Sequence, residues 1–258
     1  MVFLIFILGA VIGSFLGALT WRWPRGESIL YGRSRCPHCK RMVLWHDNVP
    51  LISYFILKRK CRFCAKPIPK RDFFIELGTA VLFVFALYLM PVIRANLNWI
   101  SSLGGFALPL VLLIVSALIV IFVIDLEHQY IPDSLALGFY SLIVIILFIT
   151  DSQIIFEHLA TGLGSAVFLL SLNLITLGRG MGLGDVKLAL FLGTALGFPL
   201  AIVWMFASFI LGSAVGIILI LLGLAKMRQK IAFGPFLIAG FASASIFGFN
   251  ILYGIIWF

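Results

Sequence analysis

From Leu103 to Ile124 the chain runs for 22 residues without a charged side chain. About 20 apolar residues carry a helix across a bilayer's hydrocarbon. Inside that hydrocarbon each backbone N–H and C=O must find a partner within the protein, which leaves helices and closed barrels as the only spanning structures. A run this long is a helix, since a barrel strand needs only about 10 residues of alternating polarity. Comparable runs cover Met1–Trp21, Phe73–Met90, Asp133–Thr150, Ile155–Leu177 and Ala232–Trp257. Val186–Leu224 is too long for one span, and Gly197-Phe198-Pro199 divides it in two. The pattern predicts an all-α polytopic membrane protein of about eight transmembrane helices. Charge agrees: 11% of the residues are charged, against about 25% in soluble proteins. The first run lacks the basic start of a secretory signal and is expected to be a retained span. Its Gly9, Gly13 and Gly17 share one helix face, which predicts close approach of a neighbouring helix.

Charges orient the spans. Between Arg22 and Asp72 the chain carries 13 Lys and Arg against Glu27, Asp47 and Asp72. With that loop cytoplasmic, eight alternating spans put Arg179, Lys187, Lys226, Arg228 and Lys230 on the same side. Only Arg94 of the 19 basic residues then falls outside. Lys and Arg bias of this kind sets orientation, so both termini are expected outside. The net charge of +9 is explained by this sorting and by contact with the lipid bilayer's anionic headgroups; no nucleic acid is implied.

All four cysteines lie in that loop, as Cys36-Pro37-His38-Cys39 and Cys61-Arg62-Phe63-Cys64. Cytoplasmic thiols stay reduced, and two CxxC pairs supply the four thiolates of a tetrahedral zinc site. Four protein ligands leave no open position, so Cys36, Cys39, Cys61 and Cys64 are read as ligands of a structural zinc. Free thiols or a redox pair are the alternative.

Ionisable groups at membrane depth mark function. Asp125 ends the apolar run Leu118–Ile124, and Asp185 closes Gly180-Met181-Gly182-Leu183-Gly184-Asp185. The topology puts both at one depth on the cytoplasmic side. Two carboxylates that approach one another share a proton; one removes a proton from water while the other polarises a scissile carbonyl. Gly182 and Gly184, lacking Cβ, would let an extended substrate backbone come close. By spacing alone, Asp185 as a plain helix N-cap and Asp125 as an interfacial carboxylate remain equally open. Glu127 and Asp133 lie near Asp125, and Glu76 sits just inside the second span.

Taken together, the blocks resemble the type IV prepilin peptidase family, the leader peptidase and N-methyltransferase enzymes of pilus and type II secretion systems. They are Gly13-Ser14-Phe15-Leu16, Pro24-Arg25-Gly26-Glu27-Ser28, both CxxC pairs, Trp45-His46-Asp47-Asn48-Val49-Pro50, Ile124-Asp125-Leu126-Glu127, Ile131-Pro132-Asp133, Gly182-Leu183-Gly184-Asp185-Val186-Lys187-Leu188 and Ile231-Ala232-Phe233-Gly234-Pro235-Phe236. The resemblance implies a membrane aspartic endopeptidase of the bacterial inner membrane with Asp125 and Asp185 as catalytic pair. Its partners are prepilin and pseudopilin precursors, whose short basic leader is removed after a glycine. It further implies methylation of the new N-terminus from S-adenosylmethionine. The chain departs from the family pattern at Arg59, where Gly is frequent, and at Asp72-Phe73, where Tyr-Pro is frequent. The expected division is 1–21 as first span, 22–72 as cytoplasmic zinc loop, and 73–258 as a seven-helix peptidase core. A broader GxGD intramembrane protease would cleave within the bilayer, and an ion transporter with a regulatory zinc module would show flux. A basic loop should repel a basic leader, so Glu27, Asp47, Glu127 or Asp133 is expected to meet the leader instead.

Overall fold

The computed structural model describes residues 1–28, 34–178, 180–224, 226 and 231–256, with side chains through residue 248. Among these residues there are ten α-helices and two isolated β-bridges. The helices are α1 (Val2–Arg22), α2 (Ile52–Ile56), α3 (Lys70–Asn96), α4 (Asn98–Ser101), α5 (Ala107–His128), α6 (Asp133–Thr150), α7 (Ile155–Ile175), α8 (Leu183–Leu196), α9 (Leu200–Leu221) and α10 (Gly234–Ile256). Every expected span is a helix: α1, α3 and α5 to α10. The short α2 and α4 carry too few residues for hydrophobic periodicity to announce them. Arg33, Arg179, Arg228 and Lys230, used above to orient the spans, lie outside the described residues.

Six of the helices, α1, α3, α5, α6, α7 and α9, are long and apolar enough to cross a membrane. The expected sixth span, α8, has only 14 residues, about 21 Å of rise, against hydrocarbon about 30 Å thick. Its surroundings explain how so short a helix is tolerated. Leu188, Ala189, Phe191, Leu192 and Ala195 are at most 1% exposed, and α8 packs on α6, α7, α9 and α10. The middle and C-terminal part of α8 therefore meet protein rather than lipid.

Two compact units make up the chain. The first comprises Met1–Tyr88 with Leu108–Val120; the second comprises Leu89–Ala107 and the chain from Ile121 onward. In the first unit the glycine stripe of α1 meets α3 as predicted. A Cβ on Gly9 would stand 2.6 Å from the Cα of Ala80, and one on Gly13 would stand 2.7 Å from the Cα of Glu76. Gly17 lies opposite Asp72 and its carbonyl accepts from Arg71. Rising numbers on α1 match falling numbers on α3, so the two helices run antiparallel.

In the second unit polar groups are used as interhelical fasteners. Trp99 Nε1 donates to the Ala195 carbonyl (2.9 Å), Trp204 Nε1 to Leu237 (2.8 Å), and Asn96 Nδ2 to Ser245 (2.8 Å). The buried His158 ring bonds to the Thr194 carbonyl and fills the space beside Gly197, whose φ of +70° suits glycine. α7 and α8 touch through Gly162, where a Cβ would stand 1.9 Å from Thr194 Oγ1 and 2.9 Å from the Leu190 carbonyl. Gly162→Ala should therefore cost about 1–3 kcal/mol by overpacking, seen as a lower unfolding midpoint in detergent. Adding Thr194→Ala, which removes the nearer obstacle, should restore part of the loss.

Candidate active site and metal centre

Chain reversals set the carboxylates in place. α5 ends when Gln129 adopts φ +51° and returns its N–H to the Asp125 carbonyl. Asp125 thus stands one turn from a helix end, with its side chain 5% exposed overall as a residue. Asp125 Oδ2 accepts the N–H of Gly234 at 3.0 Å, and Gly234 opens α10. Asp185 lies in the first turn of α8 and its Oδ2 accepts the N–H of Gly182 at 3.1 Å. Both side chains therefore take a donor that a helix N-terminus leaves without an intrahelical partner, on the positive end of a helix dipole.

Ile131 joins the two arrangements. A Cβ on Gly184 would stand 3.1 Å from Ile131 Cβ, and one on Gly234 would stand 3.3 Å from Ile131 Cδ1 and 2.6 Å from Asp125 Oδ2. One isoleucine thus touches the glycine beside Asp185 and the glycine bonded to Asp125. The carboxylates are close enough for the charge of Asp125 to act on Asp185. Both are buried, while Gly182, Leu183, Leu126 and Tyr130 are exposed around them. Such a pair has the parts for acid–base work on a peptide brought in from the exposed side.

Sequence reasoning missed Gly234 as a partner of Asp125. The Gly234-Pro235 dipeptide was its one local sign, as a helix start with proline at the second position. Lys187 Nζ pairs with Asp133 at 2.6 Å, tying α8 to the start of α6. Asp133 thus has a cationic partner while its side chain remains 55% exposed.

In the first unit the four cysteines converge. Their sulfurs all lie within 4.8 Å of one another, and Cys36 Sγ stands 3.8 Å from Cys64 Sγ. Thiolates about 2.3 Å from a tetrahedral ion would be about 3.8 Å apart, so the four residues fit a metal. Each CxxC is a tight turn of the same design. Lys40 N–H returns to the Cys36 carbonyl and Cys36 N–H to the Arg41 carbonyl; Ala65 N–H returns to Cys61 and Cys61 N–H to Lys66. Lys40 and Ala65 both have left-handed backbones, and bridges Arg35–Met42 and Lys60–Pro67 close the two turns. The loop is thus a local structural repeat, which the sequence reading did not find because little but the cysteines is shared.

Burial works against charge at Cys36, but N–H groups of Cys39 and His38 bring its thiol down to about 7. Cys64 has a Lys66 N–H beside it, yet partial burial and the sulfurs of Cys61, Cys36 and Cys39 push it up to about 11. Four thiolates this close require a cation to coexist. Asp47, expected to be available to a leader, is bound instead by Arg62 through bonds of 2.6 and 2.8 Å. That guanidinium holds the Asp47 carboxyl below the usual carboxylate range and fixes the Trp45–Asn48 turn to the second CxxC.

A buried carboxylate pair beside exposed loop backbone, in a multi-pass helical membrane protein with a four-cysteine centre, defines a class of membrane-embedded acid–base enzyme. Residues 7–90 match the bacterial peptidase A24 N-terminal domain, and residues 112–217 match the type IV leader peptidase family. The prepilin leader peptidase/N-methyltransferase of Bacillus subtilis is 30% identical over 252 residues, covering 98% of this chain and 96% of that protein. That of Burkholderia pseudomallei strain 1026b is 30% identical over 271 residues, covering 94% and 84%. A type 4 prepilin-like proteins leader peptide-processing enzyme of Escherichia coli O78:H11 is 33% identical over 217 residues, covering 75% and 76%. No solved structure matches the chain. The chain belongs to the type IV leader peptidase family.

Purified without chelator, the protein should carry about one equivalent of a thiophilic divalent metal. Elemental analysis by mass spectrometry checks this, and Cys36→Ser or Cys61→Ser should remove most of it.

Proposed function

We propose that this chain removes the leader of prepilins and pseudopilins at the cytoplasmic face of a bacterial inner membrane, with Asp125 and Asp185 as the catalytic residues. The observation that carries the reading is the pair itself: two buried carboxylates from distant parts of the chain, linked through Gly184, Ile131 and Gly234. In the ionised and protonated pair, one carboxylate takes a proton from water as the water oxygen bonds to the scissile carbonyl carbon. The other gives its proton to the carbonyl oxygen. Collapse of the tetrahedral intermediate breaks the C–N bond: the leaving amine receives a proton from the carboxyl that accepted one, and the other carboxylate takes back a hydroxyl proton as the new carbonyl forms.

Gly182 and the neighbouring exposed Leu183 offer backbone to an extended substrate. The Gly182 N–H serves Asp185, and its carbonyl, at the N-cap, starts the hydrogen-bond ladder of α8. Orientation follows from the charge bias, with the cysteine loop and both aspartates cytoplasmic and both termini outside. The metal at Cys36, Cys39, Cys61 and Cys64 is read as zinc with a structural role, since four thiolates suit that ion and leave no place for water.

The relatives named as N-methyltransferases support a second activity, methylation of the freed amine from S-adenosylmethionine. A sulfonium donor would supply the methyl group. In the first unit a cavity of about 750 Å³ falls within the usual range for ligands of this size. Its lining joins Glu27, Asp47, Asp72 and Glu76 to seven Arg and Lys side chains, among them Arg71, which pairs with Asp72, and Arg25, which lies over the Trp21 ring. Glu76 is held by the Leu51 N–H (2.7 Å) and the Ser14 hydroxyl. Held by neutral donors alone in these contacts, the Glu76 carboxylate suits a cationic donor or the protonated amine.

Asp125→Asn and Asp185→Asn should each leave the protein in the membrane at normal level while lowering leader cleavage by at least about 10³-fold, read from the mass of the product. Full cleavage by either variant would remove the mechanism. Glu76→Gln should weaken binding of radiolabelled S-adenosylmethionine about tenfold, a loss expected for a charge-assisted contact, while leader removal still proceeds. Equal binding by that variant would take the donor out of this cavity.

A further inference from the structure

The loop between α7 and α8 is built on two side chains of α7 that no part of the mechanism above uses. Asn173 is buried, 9% exposed, and its Nδ2 donates to the carbonyl of Met181. The Met181 carbonyl and the Gly182 N–H are opposite ends of one peptide group, and that N–H donates to Asp185 Oδ2. A continuous chain of hydrogen bonds therefore runs from Asn173 through a single peptide plane to the Asp185 carboxylate. Bonds in series polarise each other, and a peptide plane held at its oxygen cannot rotate to withdraw its N–H.

The rest of the loop is held from the same helix end. Gly178 N–H donates to the Asn173 carbonyl at 2.8 Å, and Gly180 N–H donates to Thr176 Oγ1 at 3.2 Å. Leu177 and Gly178 take left-handed backbones, with φ of +51° and +72°, so the chain turns sharply at once after α7. A Cβ on Gly180 would stand 3.0 Å from Thr176 Cγ2, so the loop lies directly on that side chain.

We propose that Asn173 and Thr176 are positioning residues for cleavage: they fix the orientation of the Met181–Gly182 peptide and, through it, the Asp185 carboxylate. This rests on the peptidase reading of the aspartate pair. Without the Asn173 amide, the Met181 carbonyl has no such anchor. The peptide is then free to turn its oxygen toward Asp185, replacing an attractive contact with a repulsive one.

The test uses the full chain in lipid nanodiscs, with a prepilin as substrate and kcat and KM measured separately. Asn173→Leu keeps similar volume and loses the donor. It should lower kcat about 10- to 100-fold, the scale of an ångström-level misplacement, with KM within about threefold of the parent. Hydrogen exchange should quicken in the peptide covering 177–183 and not elsewhere. Thr176→Val, which removes the acceptor, should show the same pattern more weakly, and Thr176→Ser, which keeps it, should behave as the parent. The Thr176 pair preserves the test should Asn173→Leu fold poorly. Parent-like kcat in Asn173→Leu or in Thr176→Val, or equal kcat losses in Thr176→Val and Thr176→Ser, would overturn the proposal. Asp125→Asn and Asp185→Asn run beside them separate the two claims: cleavage by either would mean that the peptidase reading has failed, whatever Asn173 does.

Discussion

A carboxylate at the edge of hydrocarbon needs hydrogen-bond donors that do not themselves come from water. In this chain the donors are backbone N–H groups at the starts of helices, which have no partner within their own helix. Asp125 draws on α10 and Asp185 on α8. Many features of the second unit follow from that need. α5 must stop shortly after Asp125, which the left-handed Gln129 accomplishes. α8 must start at the depth of the site rather than a full membrane thickness away from its far end, so it is short. A short helix must be wrapped by others, and α6, α7, α9 and α10 wrap it. Gly162 and Gly193 bring α7 within backbone contact of α8, and Gly240 does the same between α10 and α9.

The first unit solves a different problem with similar means. Two apolar helices gain little hydrophobic drive from meeting in lipid, so close packing must hold them. Gly9 and Gly13 supply it against Ala80 and Glu76. The loop that follows α1 has few apolar residues to bury, and the convergence of four sulfurs gives it a centre instead. The Arg62 clamp on Asp47 and the stacking of Tyr54 on Phe73, with ring centroids 4.8 Å apart, attach the turns around that centre. Phe73 stands where the family pattern often has proline, and here it is part of an aromatic group with Phe55 and Phe74. Arg59 stands where glycine is frequent, and its φ of +63° explains the preference: the backbone there is left-handed, which glycine adopts without strain.

How much of this could be read beforehand depended on whether the signal was local. Hydropathy located the helices because lipid imposes one requirement on every residue of a span. The stripe at Gly9, Gly13 and Gly17 identified a packing face because helical geometry repeats within a few residues. The cysteines drew attention by type. Long-range geometry was another matter. The bond from Gly234 to Asp125 crosses 109 positions, and no local pattern encodes it. The short length of α8 was hidden because an apolar run reads alike whether lipid or protein surrounds it. The ion pairs of Asp47 and Asp133 were hidden too, since nothing near either residue in the sequence names Arg62 or Lys187 as its partner.

A leader peptidase has to reconcile two opposite demands: its substrate joins a charged segment to an apolar one, and its co-substrate is water. The arrangement around the aspartates suits both. Ile124, Ile131 and Met181 are buried beside the carboxylates and exclude bulk solvent from the acids, which strengthens every electrostatic interaction among them. Leu126, Tyr130 and Leu183 are exposed at the rim, which makes the surface next to the acids largely apolar. Gly182, between rim and interior, is the point at which main chain is open to a visitor while its own N–H is already committed to Asp185. The peptide group that orients Asp185 thus lies at the edge of the exposed rim. Anything that rotates it would disturb the geometry of the acid, which is why its anchoring from α7 bears on catalysis rather than on stability alone.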